Sequence, residues 1–128
     1  MRHLGIDYGS KRLGLALSDE EGGFAFPYGI IPNDAKVLQA LASIIETESV
    51  GAIVVGDTLS LEGGTNRVTE EAQKFVDDLT EFVDIPVHRV REAWSSAEAM
   101  RFAPPGKRHD DSAAAAIILQ RFLDRLGK

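Results

Sequence analysis

Three short stretches at the start of the chain, HLGIDYG (3–9), RLGLALSD (12–19) and FAFPYGIIP (24–32), are apolar or alternate between apolar and polar residues. Turn-forming segments, GS-K and EEGG, separate them, and this pattern predicts an antiparallel three-strand meander. The period then changes. Behind Asp34, which is placed to open a helix, Val37, Leu38, Leu41, Ile44 and Ile45 recur at helical spacing and stop before Gly51. AIVVG (52–56) is apolar throughout at strand length, the mark of a strand covered on both faces, and its place after a helix fits parallel pairing. After the loop SLEGGTN (60–66), the residues Val68, Ala72, Phe75, Val76 and Leu79 predict a second amphipathic helix over 67–82, and IPVHRV (85–90) a further strand. SSAEAMRF (95–102) reads as a short third helix ended by Pro104, Pro105 and Gly106. From His109 onward Ala114, Ala115, Ile118, Leu119, Phe122 and Leu126 form the apolar stripe of a last helix. The order β-β-β-α-β-α-β-α-α predicts an α/β fold: a mixed five-stranded sheet, three antiparallel strands then two parallel, flanked by helices.

A chain of 128 residues is the size of one domain, so residues 1–128 are read as a single unit with its own core. No apolar run approaches the length of a bilayer crossing, and MRHLGIDYGS turns polar too soon for a secretory signal, which places the protein in the cytoplasm, away from membranes. There is no cysteine, hence neither a disulfide framework nor a thiolate metal site; carboxylates and three histidines are the available ligands, and a bound metal should be hard. A net charge of −6 excludes a protein that coats nucleic acid with a wholly basic surface. It leaves room for a local basic rim, for which Lys11, Arg12, Arg67, Lys107 and Arg108 are the candidate phosphate contacts; each alone also reads as ordinary solvated charge.

Asp7 is the one charged residue in LGIDYG and ends an apolar strand just before a glycine turn. An ionised carboxylate in such surroundings must be solvated, paired or metal-bound, although a turn-forming Asp bonded to backbone amides would look the same. Glu92 follows PVHRV, which a parallel order places near the first strand with its end on the same rim as Asp7, where open α/β sheets bind ligands; an exposed Glu ahead of a helix is the alternative. Asp111 opens the last helix, four residues before Ala115 and seven before Ile118, so it shares the buried stripe while Asp110 points elsewhere and can cap. Together, three acids that could converge at one rim suit Mg²⁺ or Mn²⁺, which take carboxylate and water oxygens. EGGTNR (62–67) offers backbone amides and a guanidinium to a phosphate, or is simply a flexible loop. His3, His88 and His109 lack metal-ligand spacing; His88 reads as structural and Trp94 as a packing residue or a base-stacking one.

Four segments, LGIDYGSKRLGLALSD (4–19), IVVGDTLSLEGGTNRVTEEAQKF (53–75), IPVHRVREAWSSAEA (85–99) and DDSAAAAIILQRFLD (110–124), resemble the YqgF-type family of Holliday junction resolvases and pre-16S rRNA nucleases nearly end to end. The resemblance implies a ribonuclease H-like fold and puts the family's acidic residues on Asp7, Glu92 and Asp111. The expectation is therefore a two-metal nuclease of structured RNA or branched DNA, acting in pre-16S rRNA processing and ribosome biogenesis or in Holliday junction resolution, with ribosome-assembly intermediates and a second copy of the chain as possible partners. Two departures stand out. Arg91-Glu92-Ala93-Trp94-Ser95-Ser96 replaces the family's Asp-Glu-Arg-Leu-Thr-Thr, so only the Glu of the acid pair is kept, and Asp57-Thr58 replaces a Leu-Pro pair. A nuclease fold that binds nucleic acid or assists ribosome assembly without turnover is the rival that Arg91 and Ala93 favour. The hairpin GIDYGSKRLG also resembles that of actin-like nucleotide-binding proteins, but one short domain cannot close a second lobe over ATP.

Overall fold

In a computed structural model of the chain, residues 1–56, 67–90 and 111–126 are described, with the backbone alone for 67–69 and 111. The loop at 60–66 and the short helix expected at 95–102 lie outside the described residues.

Strands β1 (Arg2–Asp7), β2 (Arg12–Ser18) and β3 (Ala25–Pro32) form the antiparallel meander that the alternation predicts. Strand β4 (Val50–Gly56) lies parallel against the other side of β1, and β5 (Val87–Arg89) lies parallel against β4. The sheet order is β3-β2-β1-β4-β5, so β4 lies beside β1 and the strand preceding Glu92 is one place further out. Asp7 pairs with Gly14 on one side and Gly56 on the other.

Because strand residues alternate between faces, the two sides of the sheet differ in composition. Leu4, Ile6, Leu13, Leu15, Leu17, Ile53 and Val55 point to one side, where helices α1 (Val37–Glu48) and α2 (Arg67–Phe82) cover them with Val37, Leu41, Phe75 and Leu79. Gly5, Ala16, Val54 and Gly56 point to the other, against α3 (Asp111–Leu126). There the backbones lie close: a Cβ on Gly5 would sit 2.7 Å from Leu119 Cβ and 3.0 Å from the Ala115 carbonyl, and one on Gly56 would sit 2.8 Å from Ile118 Cδ1. Gly5 and Ala115 thus make a seam of little side-chain bulk at β1, and α3 lies across β1, β2 and β3 with the Ile118 side chain seated on Gly56 of β4.

Helix α1 spans the whole apolar period and stops before Gly51 as expected, but it begins at Val37 rather than directly behind Asp34. The Asp34 carboxylate accepts the Lys36 N–H at 2.9 Å, and the Val37 N–H bonds the Asp34 carbonyl at 3.1 Å, so Asp34 makes the turn that precedes the helix. At the other end Ser49 takes the left-handed conformation, φ 56°, with its N–H on the Ile45 carbonyl. Glycine or asparagine usually fills that position, so Gly51 looked like the stop signal; Gly51 instead lies within β4.

Candidate active site

Strands β1, β3, β4 and β5 all end at one rim. Helix α1 leaves that rim after β3 and finishes beside the start of β1, where Glu48 Oε1 accepts from Arg2 Nη1 at 3.3 Å. Helix α2 also starts there: Ser10 Oγ donates to Glu71 Oε1 at 3.2 Å, and Tyr8 meets Phe75 with ring centroids 5.2 Å apart. Helix α3 runs the same way, since its C-terminal half lies by the opposite end of the sheet. Phe122 packs on His3 at 5.9 Å, and Gln120 Oε1 accepts the Ala25 N–H at 2.9 Å. The first turns of all three described helices therefore face the rim at which Asp7 sits. The positive ends of their dipoles point to that rim, α1's with its first N–H groups bonded to Asp34.

Asp7 is 5% exposed. Its strand parity, shared with His3 and Gly5, turns it toward α3, whose first residue is Asp111; the Gly5 seam thus brings the element carrying Asp111 to the same face and the same rim as Asp7. Glu92 lies outside the described residues, but its strand leads to this rim. Val90 N–H bonds the Val55 carbonyl at 2.8 Å, level with Ile6, so the chain leaves β5 two strand spacings, about 9.5 Å, from β1.

Of the basic candidates, Lys11 and Arg12 are exposed on the β1–β2 turn at the rim. Two bonds from Asn33, its N–H to the Lys11 carbonyl at 2.9 Å and its Nδ2 to the Gly9 carbonyl at 2.8 Å, hold that turn in place. Asn33 had no role in the sequence reading; its place in the IPND turn was the available signal. Arg67 opens α2 and so belongs to the rim by its backbone position, whereas Lys107 and Arg108 lie outside the described residues, as do EGGTNR up to Asn66, and Trp94.

Among the described residues no three of His, Asp or Glu gather into a metal-binding group. Two members of the expected acid set, Glu92 and the Asp111 side chain, lie outside those residues. What is described fits a hard divalent cation: a buried carboxylate at a strand end, and a chain that offers no sulfur from cysteine.

The far rim has a different character. His3 is buried; its N–H bonds Ser18 Oγ at 2.8 Å and its Nδ1 lies 3.2 Å from the Met1 carbonyl. Burial pushes its pKa below the ordinary 6.5, partly opposed by that bond to Met1, so the ring is held neutral. His88 packs on Phe122 at 5.1 Å, in keeping with a structural role.

The family model described as "RuvX: Holliday junction resolvase" matches residues 1–125. The chain belongs to that family. A "Putative pre-16S rRNA nuclease" of Maridesulfovibrio salexigens is 40% identical, covering 98% of this chain and 99% of the relative. Among solved structures, Thermus thermophilus RuvC in complex with a Holliday junction substrate aligns with a TM-score of 0.62 at 14% identity, over 99% of this chain and 96% of that one. The Fowlpox virus resolvase in complex with Holliday junction DNA aligns at 0.61 and 12% identity over the full length of both. At such identities the structures speak to the fold, which is the ribonuclease H-like one that the resemblance to the YqgF-type family implied. No helix among the described residues is long and apolar enough to cross a membrane.

Proposed function

We propose that this chain is a divalent-metal-dependent nuclease of structured nucleic acid, with the 5′ end of pre-16S rRNA as its first substrate and a four-way DNA junction as the alternative, acting in the cytoplasm as one domain. The observation that carries the reading is the convergence of Asp7 and the start of α3 on one rim and one face, within a chain of the RuvX family. Asp7, Glu92 and Asp111 are the residues that would hold two Mg²⁺ or Mn²⁺ ions. Bound there, the metals would lower the pKa of an attacking water and stabilise the leaving oxygen of an in-line displacement.

The protein's own contribution is placement. Asp7 holds its carboxylate at a fixed depth because β1 is bonded on both sides, Tyr8 N–H to the Gly56 carbonyl at 2.8 Å included. The helix first turns draw the phosphodiester to the rim, and Lys11, Arg12, Arg67, Lys107 and Arg108 are its proposed backbone contacts, which fix register without reading sequence. Asp111 shares the α3 stripe with Ala115, so the packing of that stripe on Gly5 sets its position relative to Asp7.

A cleavage assay with Mg²⁺ or Mn²⁺, on a 16S precursor fragment and on a four-way DNA junction, tests the reading. Metal-dependent cleavage of either, abolished by chelation and by Asp7→Asn, is expected. Binding of both substrates without cleavage in any divalent metal would instead establish the non-hydrolytic module that Arg91 and Ala93 suggest.

A further inference from the structure

On the opposite face of the sheet from α3, a groove of about 300 Å³ opens to solvent between the start of α1 and the side of α2. Its floor is apolar: Tyr8 and Phe75 in contact, with Val37 and Leu38 beside them. Its rim is acidic. Asp34 stands on the α1 side, and Glu71 and Asp78, seven residues apart and so on one stripe of α2, stand opposite; among the described residues Lys74 is the one cation in the lining. Three carboxylates against one ammonium repel phosphate, so the field here is opposite in sign to what the nuclease rim requires, although Tyr8 directly follows Asp7 in the chain. The volume, at the low end for ligand sites, suits one or two large side chains rather than a nucleotide.

We propose that this groove docks a basic peptide segment of a protein partner, an aliphatic or aromatic side chain resting on Tyr8, Leu38 and Phe75 while a neighbouring arginine or lysine lies among Asp34, Glu71 and Asp78. Charge complementarity selects the occupant: guanidinium and ammonium groups are the biological cations carried on apolar-flanked chains, and carboxylates at separate points of a rim favour them over anions. The walls are tied to the turn that carries Lys11, through Ser10 to Glu71 at 3.2 Å and Asn33 to Gly9 at 2.8 Å. A partner seated here therefore rests against the back of the nuclease rim and leaves the α3 face open to nucleic acid. This inference is independent of whether the chain cleaves.

Fluorescence anisotropy with the full chain tests it, using a labelled peptide of arginine and leucine, its glutamate–leucine counterpart, and an unlabelled RNA hairpin as competitor. The basic peptide should bind, the acidic one should not, and replacing the leucines by serine should weaken binding. Reversing two rim charges, Asp34→Lys with Asp78→Lys, should weaken it about tenfold, since each pair lost and each repulsion added contributes a fraction of a kcal/mol. The milder Asp34→Asn with Asp78→Asn keeps the oxygen that accepts from Lys36 and should give a smaller loss with the fold intact. Glu81→Lys with Asp84→Lys makes the same change in net charge outside the groove and should leave affinity nearly unchanged. Equal losses in the two Lys pairs would overturn the proposal in favour of bulk electrostatics, displacement of the peptide at RNA concentrations below those at which the hairpin binds the free peptide would overturn it in favour of nucleic acid, and absence of peptide binding would overturn it outright.

Discussion

The two faces of the sheet achieve burial by different means. Under α1 and α2 the sheet is built of Leu, Ile and Val, and stability comes from the apolar volume removed from water. Under α3 its middle is built of glycine, alanine and one valine, with buried His3, Ser18 and Asp7 toward the two rims, and the helix gains closeness at the expense of volume. The thick face can lose a methylene and remain the same fold. The thin face has no slack, and it is the one that carries Asp7 and leads to Asp111. The protein thus keeps bulk stability and geometric precision on separate sides of the sheet.

The largest effect on stability should follow truncation on the thick face. Leu41 is fully buried among β1, β4 and α1 residues, and Leu41→Ala should cost about 2–5 kcal/mol in denaturant unfolding. A loss well under 1 kcal/mol would mean that the face is loosely packed. Whatever cleavage activity the protein has should survive in the folded fraction.

Gly5→Ala should cost less, about 1–3 kcal/mol, because its Cβ would press on Leu119 Cβ and the Ala115 carbonyl. Its effect on cleavage should exceed that on folding, since the helix must shift relative to Asp7. The double variant Gly5→Ala, Leu119→Gly, which removes the Cβ that is pressed on, should be less destabilised than the sum of the two single changes, by the coupling expected of residues in contact. Strict additivity, or unchanged cleavage in Gly5→Ala, would break the distinction between the faces.

The smallest effect concerns His3, on the thin face at the far rim. Its pKa is lowered in the fold, chiefly by burial, so the unfolded chain binds the proton more readily. Stability contributed by the neutral ring is therefore present above the ordinary value of 6.5 and is lost as pH falls below it, until the folded-state pKa is passed. Melting temperatures should drop between about pH 7 and pH 5 by more in the parent than in His3→Gln. Identical profiles would remove His3 from the account.

The division between faces also explains what could be read beforehand. Alternation in 3–32 and the helical period of Val37, Leu38, Leu41, Ile44 and Ile45 reveal the meander and α1 because large side chains write their burial into the sequence. The exact ends of α1 were not legible, because a side-chain turn at Asp34 and a left-handed serine at Ser49 are set by local backbone geometry, which periodicity does not report. Ala115 was legible as part of the apolar stripe, but its close approach to Gly5, distant in sequence and adjacent in space, was not. Strand order was likewise hidden, since nothing in the apolar pattern tells β4 to pair with β1 and push β5 outward. Asp7 was legible as a lone charge at a strand end, and the start of α3 at Asp111 by its spacing to Ala115; the common start of the three helices at one rim was not, because direction across a sheet depends on pairing.

The central claim is that the close α3 seam brings Asp7 and Asp111 to one divalent-cation site. Calorimetric titration of Mn²⁺ into the metal-free protein tests it without any substrate. The account predicts weak binding at the carboxylate rim that Asp7→Asn and Asp111→Asn each abolish, while Asp110→Asn, the neighbouring acid free to cap the helix, retains it. Wild-type Mn²⁺ affinity in either Asp7→Asn or Asp111→Asn would contradict it.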